Sequence, residues 1–429
     1  MSKEIIVYLD DYKYAGDGNY STMYLDFRTA DDYNRYMAEL GQKEPTVGTY
    51  LQIDDYQSPK RLMRGAYYAL NMDMIKKLIP EPVQDSFVFA HAYSFQKYEG
   101  RNDTSYHLLQ THEPLDSNEL YAKSHHRVNH LSDVSWRDYL KFRVNDVSQA
   151  NWNEVVDGKQ VLYVFDIGAP IHAKKTQIQN YLNNYACRYA KDKPVLILSH
   201  WDVDHYHCLL QLNEVEIKNN FSKFICPDKM KTCTSQRVYM KMEKALGRNE
   251  VHCLSLPGRS SDYPYPMMHQ LYMCNGVGLF VGERSLNPNY CGIILYVEGN
   301  KGNVIFSGDS LPVQASDVLA ISTNGQEFEK EHYLVVPHHG GDFKGKKVYK
   351  TYHIPQFLRP IEAIISVDEG NNTYGHPTRE MIEHLSSIAN WTIYRTDKNG
   401  TIIHDLSEDL LKDISDEHER QLMDEYPTI

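Results

Sequence analysis

Residues 195–210 read VLILSHWDVDHYHCLL. An apolar run of strand type, VLIL, ends at a Ser, and four side chains of metal-ligating type follow within six positions: His200, Asp202, Asp204 and His205. Side chains alternate along an extended chain, so residues 200, 202 and 204 converge on one side if extended geometry continues into the loop, while His205 reaches a second point. Imidazole mixed with carboxylate suits Zn, Mn or Fe better than Mg or Ca, which take all-oxygen shells. A polar loop after a strand is the plain alternative, and so dense a ligand spacing argues against it.

Further blocks follow the same strand-then-polar pattern. They are VNDVSQANW (144–152), VLYVFDIG (161–168), NPNYCGIIL (287–295), VIFSGDS (304–310), LVVPHHGG (334–341) and AIISVDEGNNTYGHP (363–377). Together with H-x-D-x-D-H at 200–205, their order and residue types resemble the metallo-β-lactamase fold hydrolases. The variant with Asp in place of the second His is similar to the ComEC-like branch, the soluble domain of the DNA-uptake protein and its stand-alone relatives. The likeness covers roughly residues 140–405.

The resemblance implies an α/β fold, a metallo-β-lactamase αββα sandwich over 139–405, preceded by an additional N-terminal α+β domain (1–138) and followed by an acidic helix or tail (406–429). It implies two divalent ions, Zn or Mn, with His200 and Asp202 on one, Asp204 and His205 on the other, and Asp309 bridging. In the pair His338 and His339 it favours His338 as a ligand and leaves His339 to protonate a leaving group. Asp204 and His376 complete the catalytic candidates. Asp166, at a strand end, is expected to support the ligand loop by hydrogen bonds. An isolated His some twenty residues before the bridging Asp is usual in the family; counting back from Asp309 lands on Asn289, so that His is expected to be missing, which shifts preference towards Mn. Neither His252 nor His269 stands in its place. Ser148 and Asn151 depart from the family's Gly and Asp in the opening block.

Composition sets the remaining bounds. At 429 residues the chain exceeds one usual domain. A hydrophobic fraction of 41% and a charged fraction of 24% are those of a soluble globular protein. The opening MSKEIIVYLDDY lacks an apolar core of signal-peptide length, and no window reaches the ~18 apolar residues of a membrane helix, so a cytoplasmic protein with no membrane association is expected. Seven cysteines, an odd number with no C-x-x-C pair, read as reduced thiols; Cys208 stands out by its place three residues after His205.

The net charge of −12 disfavours broad nonspecific binding of nucleic acid. Two basic clusters point the other way. Eight basic residues against two acids lie between Lys218 and Arg248, a local balance of +6, and Lys344, Lys346, Lys347 and Lys350 follow HHGG directly. The last cluster supplies candidate substrate contacts for a polyanion, and solvated helix faces are the alternative.

Sixteen of the 33 tyrosines lie between Tyr8 and Tyr139. EIIVYLD (4–10) and SFVFAHAYSF (86–95) read as strands, and 31–40 and 62–79 have helical spacing. The tyrosines fit the half-buried positions of a small α+β domain or a partner-binding face. His125, His126 and His130 read as surface. Near the end, residues 391–404 (WTIYRTDKNGTIIH) read as a hairpin about Asn399-Gly400.

Three readings of function remain open at this level: a metal-dependent phosphodiesterase acting on DNA or RNA; a hydrolase of a small phosphoester, cyclic nucleotide or lactone; and a partner-binding or sensor protein whose hydrolase domain is the effector.

Overall fold

The computed structural model describes residues 4–16, 19–39, 50–57, 62, 65–71, 88–90, 139–228, 230–259, 265–285, 288–322, 330–341, 362–368, 375–387 and 392–407. The His125, His126 and His130 cluster, Lys229, the four lysines after HHGG (Lys344, Lys346, Lys347, Lys350) and the tail from 408 onward lie outside them.

EIIVYLD opens strand β1 (Glu4–Gly16), which pairs antiparallel with β2 (Asn19–Phe27). With β3 (Tyr50–Gln57), β4 (Tyr67–Asn71) and β5 (Val88–Ala90) they form a five-stranded sheet in the order β4-β1-β2-β3-β5. The helical spacing read over 62–79 fails at Tyr67–Asn71, where strand pairing with β1 sets Tyr67 opposite Tyr8. Aromatic side chains gain more from cross-strand neighbours there than from a helical face. Helix α1 (Ala30–Glu39) falls where its spacing predicts and packs Tyr33 and Tyr36 against Phe27, with ring centroids 5.4 and 5.1 Å apart. Tyr8, Tyr12, Tyr33, Tyr36, Tyr50 and Tyr68 are all buried; Tyr12, Tyr33, Tyr36 and Tyr68 build the apolar core beside this sheet, while Tyr50 joins the core of the first sandwich layer.

Two seven-stranded sheets make up the rest. The first has the order β11-β10-β9-β8-β7-β6-β19 and comprises β6 (Leu140–Val144), β7 (Asn153–Asp157), β8 (Gln160–Phe165), β9 (Val195–Ile197), β10 (Lys223–Pro227), β11 (Val251–Leu254) and β19 (Ile402–Asp405). The second runs in sequence order from β12 (Met268–Cys274) through β13 (Val277–Gly282), β14 (Ile293–Glu298), β15 (Gly302–Phe306), β16 (Glu331–Val335) and β17 (Glu362–Ile365) to β18 (Thr392–Arg395). Each sheet runs from an antiparallel meander into parallel strands.

Three apolar clusters fix the layers. One lies between the sheets, where Phe142 and Phe165 meet Phe306 with centroids 6.0 and 5.8 Å apart. A second lies under helices α2 (Lys175–Tyr185), α3 (Val203–Gln211), α4 (Glu214–Asn220) and α5 (Cys233–Leu246). The third lies under α6 (Pro312–Ser322) and α7 (Arg379–Ser387). The layer order is αββα.

The expected hairpin at 391–404 is not one. β18 pairs parallel with β17 in one sheet and β19 antiparallel with β6 in the other, so the chain crosses the sandwich through a helical turn at Thr396–Asn399. Thr396 is buried there and hydrogen-bonds the Val367 backbone at 2.9 and 3.1 Å. An Asn-Gly pair marks a turn, and only long-range pairing decides which sheet each arm joins.

The N-terminal sheet is joined to the sandwich through buried polar groups. Tyr50 and Tyr206 share a hydroxyl hydrogen bond of 3.0 Å. Asp26, 1% exposed, faces the start of α5, and burial raises its carboxyl to about 6 against hydrogen bonds from Thr232 and Thr234. A carboxyl raised above its unfolded value of ~3.9 stabilises the fold fully below that pH and ceases to as pH rises through 6. Asp26→Asn is therefore expected to gain on the wild type by up to about 3 kcal/mol between pH ~4 and ~7.5. Chemical denaturation of both proteins at these pH values checks it, and a stability difference independent of pH would refute it.

Candidate metal centre

The ligand loop leaves β9 at Ile197, but extended geometry stops at Asp202, the residue before α3. Asp204 and His205 lie in the first turn of that helix, so the convergence expected from strand alternation comes instead from a loop-to-helix junction.

Asp166 organises the junction. It sits at φ +61 just beyond β8 with no solvent exposure. Its carboxylate accepts from the Ser199 backbone N (2.7 Å), the Ser199 Oγ (2.8 Å) and His205 Nδ1 (2.7 Å). Ser199 Oγ in turn meets His200 Nδ1 at 3.0 Å and His205 Nδ1 at 3.1 Å. Engaging both Nδ1 atoms leaves each Nε2 lone pair pointing inward. Asn151, the residue that departs from the family pattern, packs beside the same ring, its Nδ2 3.4 Å from His205 Nδ1. Asp166→Asn replaces one carboxylate oxygen by an amide that cannot accept, and a ~10–100-fold loss of metal affinity is expected. Calorimetric titration of the stripped protein reads it, and unchanged affinity in a folded variant would remove Asp166 from this role.

The second sheet brings up the other half. Asp309 follows β15, and His338 and His339 follow β16 in left-handed conformation (φ +52 and +53). His339 Nδ1 donates to the Ser366 carbonyl at 2.8 Å, so its Nε2 also turns inward, 3.4 Å from Asp204 Oδ2. His205 Nε2 lies 3.2 Å from Asp309 Oδ1 and 3.8 Å from Asp204 Oδ1. His200 Nε2 lies 3.3 Å from Asp202 Oδ2 and 3.8 Å from Asp309 Oδ2.

These atoms test the fit of a metal. His200 Nε2, His205 Nε2, His339 Nε2 and Asp309 Oδ1 are buried and make no hydrogen bond. Buried lone pairs facing one another are costly unless a cation or proton lies between them. A tetrahedron with ~2.1 Å metal–ligand bonds has edges of about 3.4 Å, which the 3.2–3.4 Å contacts match. Two groupings satisfy the requirement, His200-His205-Asp309 and Asp204-His205-His339, and they overlap at His205.

Burial opposes charge on His205, but Asp166, Asp309 and Asp204 push its basicity well up. Burial likewise works against the anions of Asp309 and Asp204, yet His338 and His205 hold the former, and His205 and His339 the latter, below the ordinary carboxylate range.

The expected residues are thus largely brought together, with changes. His339, expected to act as an acid, lies in a ligand grouping. His338, expected to be a ligand, instead hydrogen-bonds Asp309 and has its ring 4.9 Å from that of His376. Asp202 belongs to neither grouping. Asn289 Nδ2 donates to Asp309 Oδ2 at 3.2 Å, which makes it a carboxylate-orienting group. His269 pairs with Glu283 at 3.1 Å on β12, remote from the loop in the sheet order. Cys208 is buried with its thiol on the Gly168 carbonyl at 3.2 Å, and burial pushes that thiol well up, so it is a packing residue.

Ser199, Lys231, Tyr8 and Asp10 were not singled out from the sequence as site residues. Lys231 Nζ meets Asp202 Oδ1 at 2.5 Å and the Tyr8 hydroxyl at 3.2 Å. Asp10 shares this environment: burial and then the Asp202 charge raise its carboxyl well above the usual range. A Ser between an apolar strand and the first ligand was the one available signal.

No protein-family model and no curated protein matches the sequence. Among solved structures, the chain is similar to CmlA, a diiron β-hydroxylase from Streptomyces venezuelae, at 13% identity over 63% of this chain and a TM-score of 0.35; only 54% of CmlA is spanned. It is also similar to the metallo-β-lactamase fold protein YhfI from Bacillus subtilis (9% identity, 62% of this chain and 99% of that chain, TM-score 0.36) and to human tRNase Z, short form (11%, 62% and 100%, 0.35). The layer order found here agrees with the metallo-β-lactamase αββα sandwich. Likenesses this distant carry no argument about chemistry, and nothing in them separates the ComEC-like branch from the others. Among the described residues, no helix is long and apolar enough to cross a membrane.

Proposed function

We propose that the protein is a metal-dependent hydrolase of phosphodiesters. The observation that carries this reading is a set of four buried donor atoms without hydrogen-bond partners, on His200, His205, His339 and Asp309, that fall into two ligand groupings overlapping at His205. A divalent ion bound among them would supply an activated water at neutral pH and positive charge for the oxygens of an attacked phosphorus. We assign His339 to the metal and His338 to proton transfer. Burial works against charge on His338, while Asp309, Asp204 and Asp202 favour it, and its contact with Asp309 sets it beside the centre to give a proton to a departing oxygen. His376, beside it, is placed to orient that ring or the substrate.

Nucleic acid is the substrate expected from the basic clusters and from the ComEC-like pattern. A small phosphodiester is a second reading, favoured by how the 218–248 cluster is used. Lys231 pairs with Asp202; Lys241 donates to the carbonyls of Leu209 and Leu212 at 2.8 Å; Arg237 lies over the Tyr33 ring at 4.3 Å; Lys244 and Arg248 pair with Glu214 and Glu243. Much of that positive charge is engaged within the molecule.

The test is hydrolysis by metal-stripped protein resupplied with Mn or Zn, on labelled single-stranded DNA, double-stranded DNA, RNA, a cyclic nucleotide and a chromogenic phosphodiester. Cleavage of nucleic acid that falls steeply with salt supports the first substrate class. Cleavage of the small esters alone supports the second. No metal-dependent cleavage of any of them overturns the phosphodiesterase reading.

A further inference from the structure

Among the described residues, Asp202 is the one member of the H-x-D-x-D-H loop that faces an ammonium. Lys231 lies in the connection between β10 and α5, 4% exposed, with Nζ 2.5 Å from Asp202 Oδ1. The other Asp202 oxygen is the one that faces His200 Nε2 at 3.3 Å. Burial works against the Asp202 anion, but Lys231 and then His200 hold it far below the ordinary range.

The N-terminal sheet fixes this lysine in place. The Tyr8 hydroxyl accepts from Nζ at 3.2 Å, with the ammonium 5.4 Å from the ring centroid, and the Tyr67 hydroxyl donates to the Lys231 carbonyl at 2.5 Å. The Tyr8 and Tyr67 rings pack edge-to-face at 5.3 Å on paired strands. A long, flexible side chain is thereby held to one position, and its head has exchanged water for a carboxylate and a phenol.

The ligand geometry points the same way. The two donor groupings share His205 Nε2, and one nitrogen lone pair binds one ion. An ion on Asp204, His205 and His339, with Asp309 Oδ1 3.2 Å from the His205 nitrogen, would leave His200, Asp202 and Asp309 Oδ2 for a second, and there the Lys231 charge already stands. We infer that Lys231 takes the place of a second cation, so that the centre binds one divalent ion tightly. This rests on the metal-centre reading above and gives the N-terminal domain a part in it, since Tyr8 and Tyr67 hold the substituting charge.

The experiment is metal content by elemental analysis of the full chain, stripped, reloaded with Mn or Zn and freed of excess ion by gel filtration, with circular dichroism and a thermal melt to establish folding. The wild type is expected to retain one ion per chain. Lys231→Met, which keeps the length of the side chain but not its charge, is expected to retain two, and Lys231→Arg one. Asp202→Asn is expected to keep its single ion, because Asp202 serves the lysine; this variant decides the matter if Lys231→Met does not fold. Two ions in the wild type, one ion in folded Lys231→Met, or loss of the ion from folded Asp202→Asn would each overturn the inference and leave the metal centre standing. A folded wild type that retains no ion would overturn the metal-centre reading and this inference with it.

Discussion

Replacing Asp309 by Ala is expected to abolish tight metal uptake and to lower hydrolysis by roughly 10³-fold or more, about 4 kcal/mol of transition-state stabilisation. The carboxylate stands between both halves of the site. Oδ1 faces His205 Nε2 at 3.2 Å, and Oδ2 accepts from Asn289 at 3.2 Å and meets His338. Without it, His200 and His205 keep their inward lone pairs with no anion to complete the shell, and His338 loses the charge that holds its proton. Metal content and kcat measured on the same preparation check the prediction. A variant that retains its ion and turns over within tenfold of the wild type would show that the four buried donor atoms are not the reacting centre.

Gly168→Ala is expected to cost at least about 3 kcal/mol of stability, at the upper end of ordinary overpacking, and to weaken metal binding as well. A Cβ built on Gly168 falls 1.8 Å from the Asp204 carbonyl oxygen and 2.8 Å from that of Asn151. Both neighbours are backbone, so no rotamer change relieves the clash. The Gly168 amide also donates to Asn151 O at 2.8 Å, and the Ile167 amide to His205 O at 2.8 Å, so the strand end and the first turn of α3 are tied together. Relief has to come from moving that turn, which carries Asp204 and His205. Denaturant unfolding and a metal titration of the same variant test both halves. Wild-type stability together with wild-type affinity would show that the close approach is not required.

The strand-then-ligand pattern was legible in the sequence because it is local. VLIL, VIF and LVV are short apolar runs, each followed by its polar residues, and they became β9, β15 and β16 with the candidate ligands just past their ends. The supporting task of Asp166 was implied by the family resemblance, and its hydrogen bonds to Ser199 and His205 agree with it. What misled was local periodicity where pairing decides. Residues 62–79 read as a helix, yet Tyr67–Asn71 pair with β1; Asn399-Gly400 read as a hairpin turn, yet its two arms belong to different sheets.

The order of His338 and His339 was out of reach for a related reason. Adjacent residues in left-handed conformation project in directions that no repeat predicts, and the Ser366 carbonyl, 27 positions from His339, selects which imidazole turns its Nε2 inward. The basic stretch shows the same division. Its charge could be counted from the sequence, but whether each lysine meets solvent, a helix end or a carboxylate depends on what packs over it.

The sequence by itself determined the donor types and the strand ends that carry them, because these follow from residue chemistry and short-range periodicity, and its resemblance to a known family implied the layer class. Only the tertiary structure decided which donor atoms meet, that Asp202 faces Lys231, and that Tyr8 and Tyr67 reach across from the N-terminal sheet to hold it. Those contacts join residues up to 223 positions apart. Their energies depend on distances of a few ångströms in a buried environment, and only the packed chain sets them.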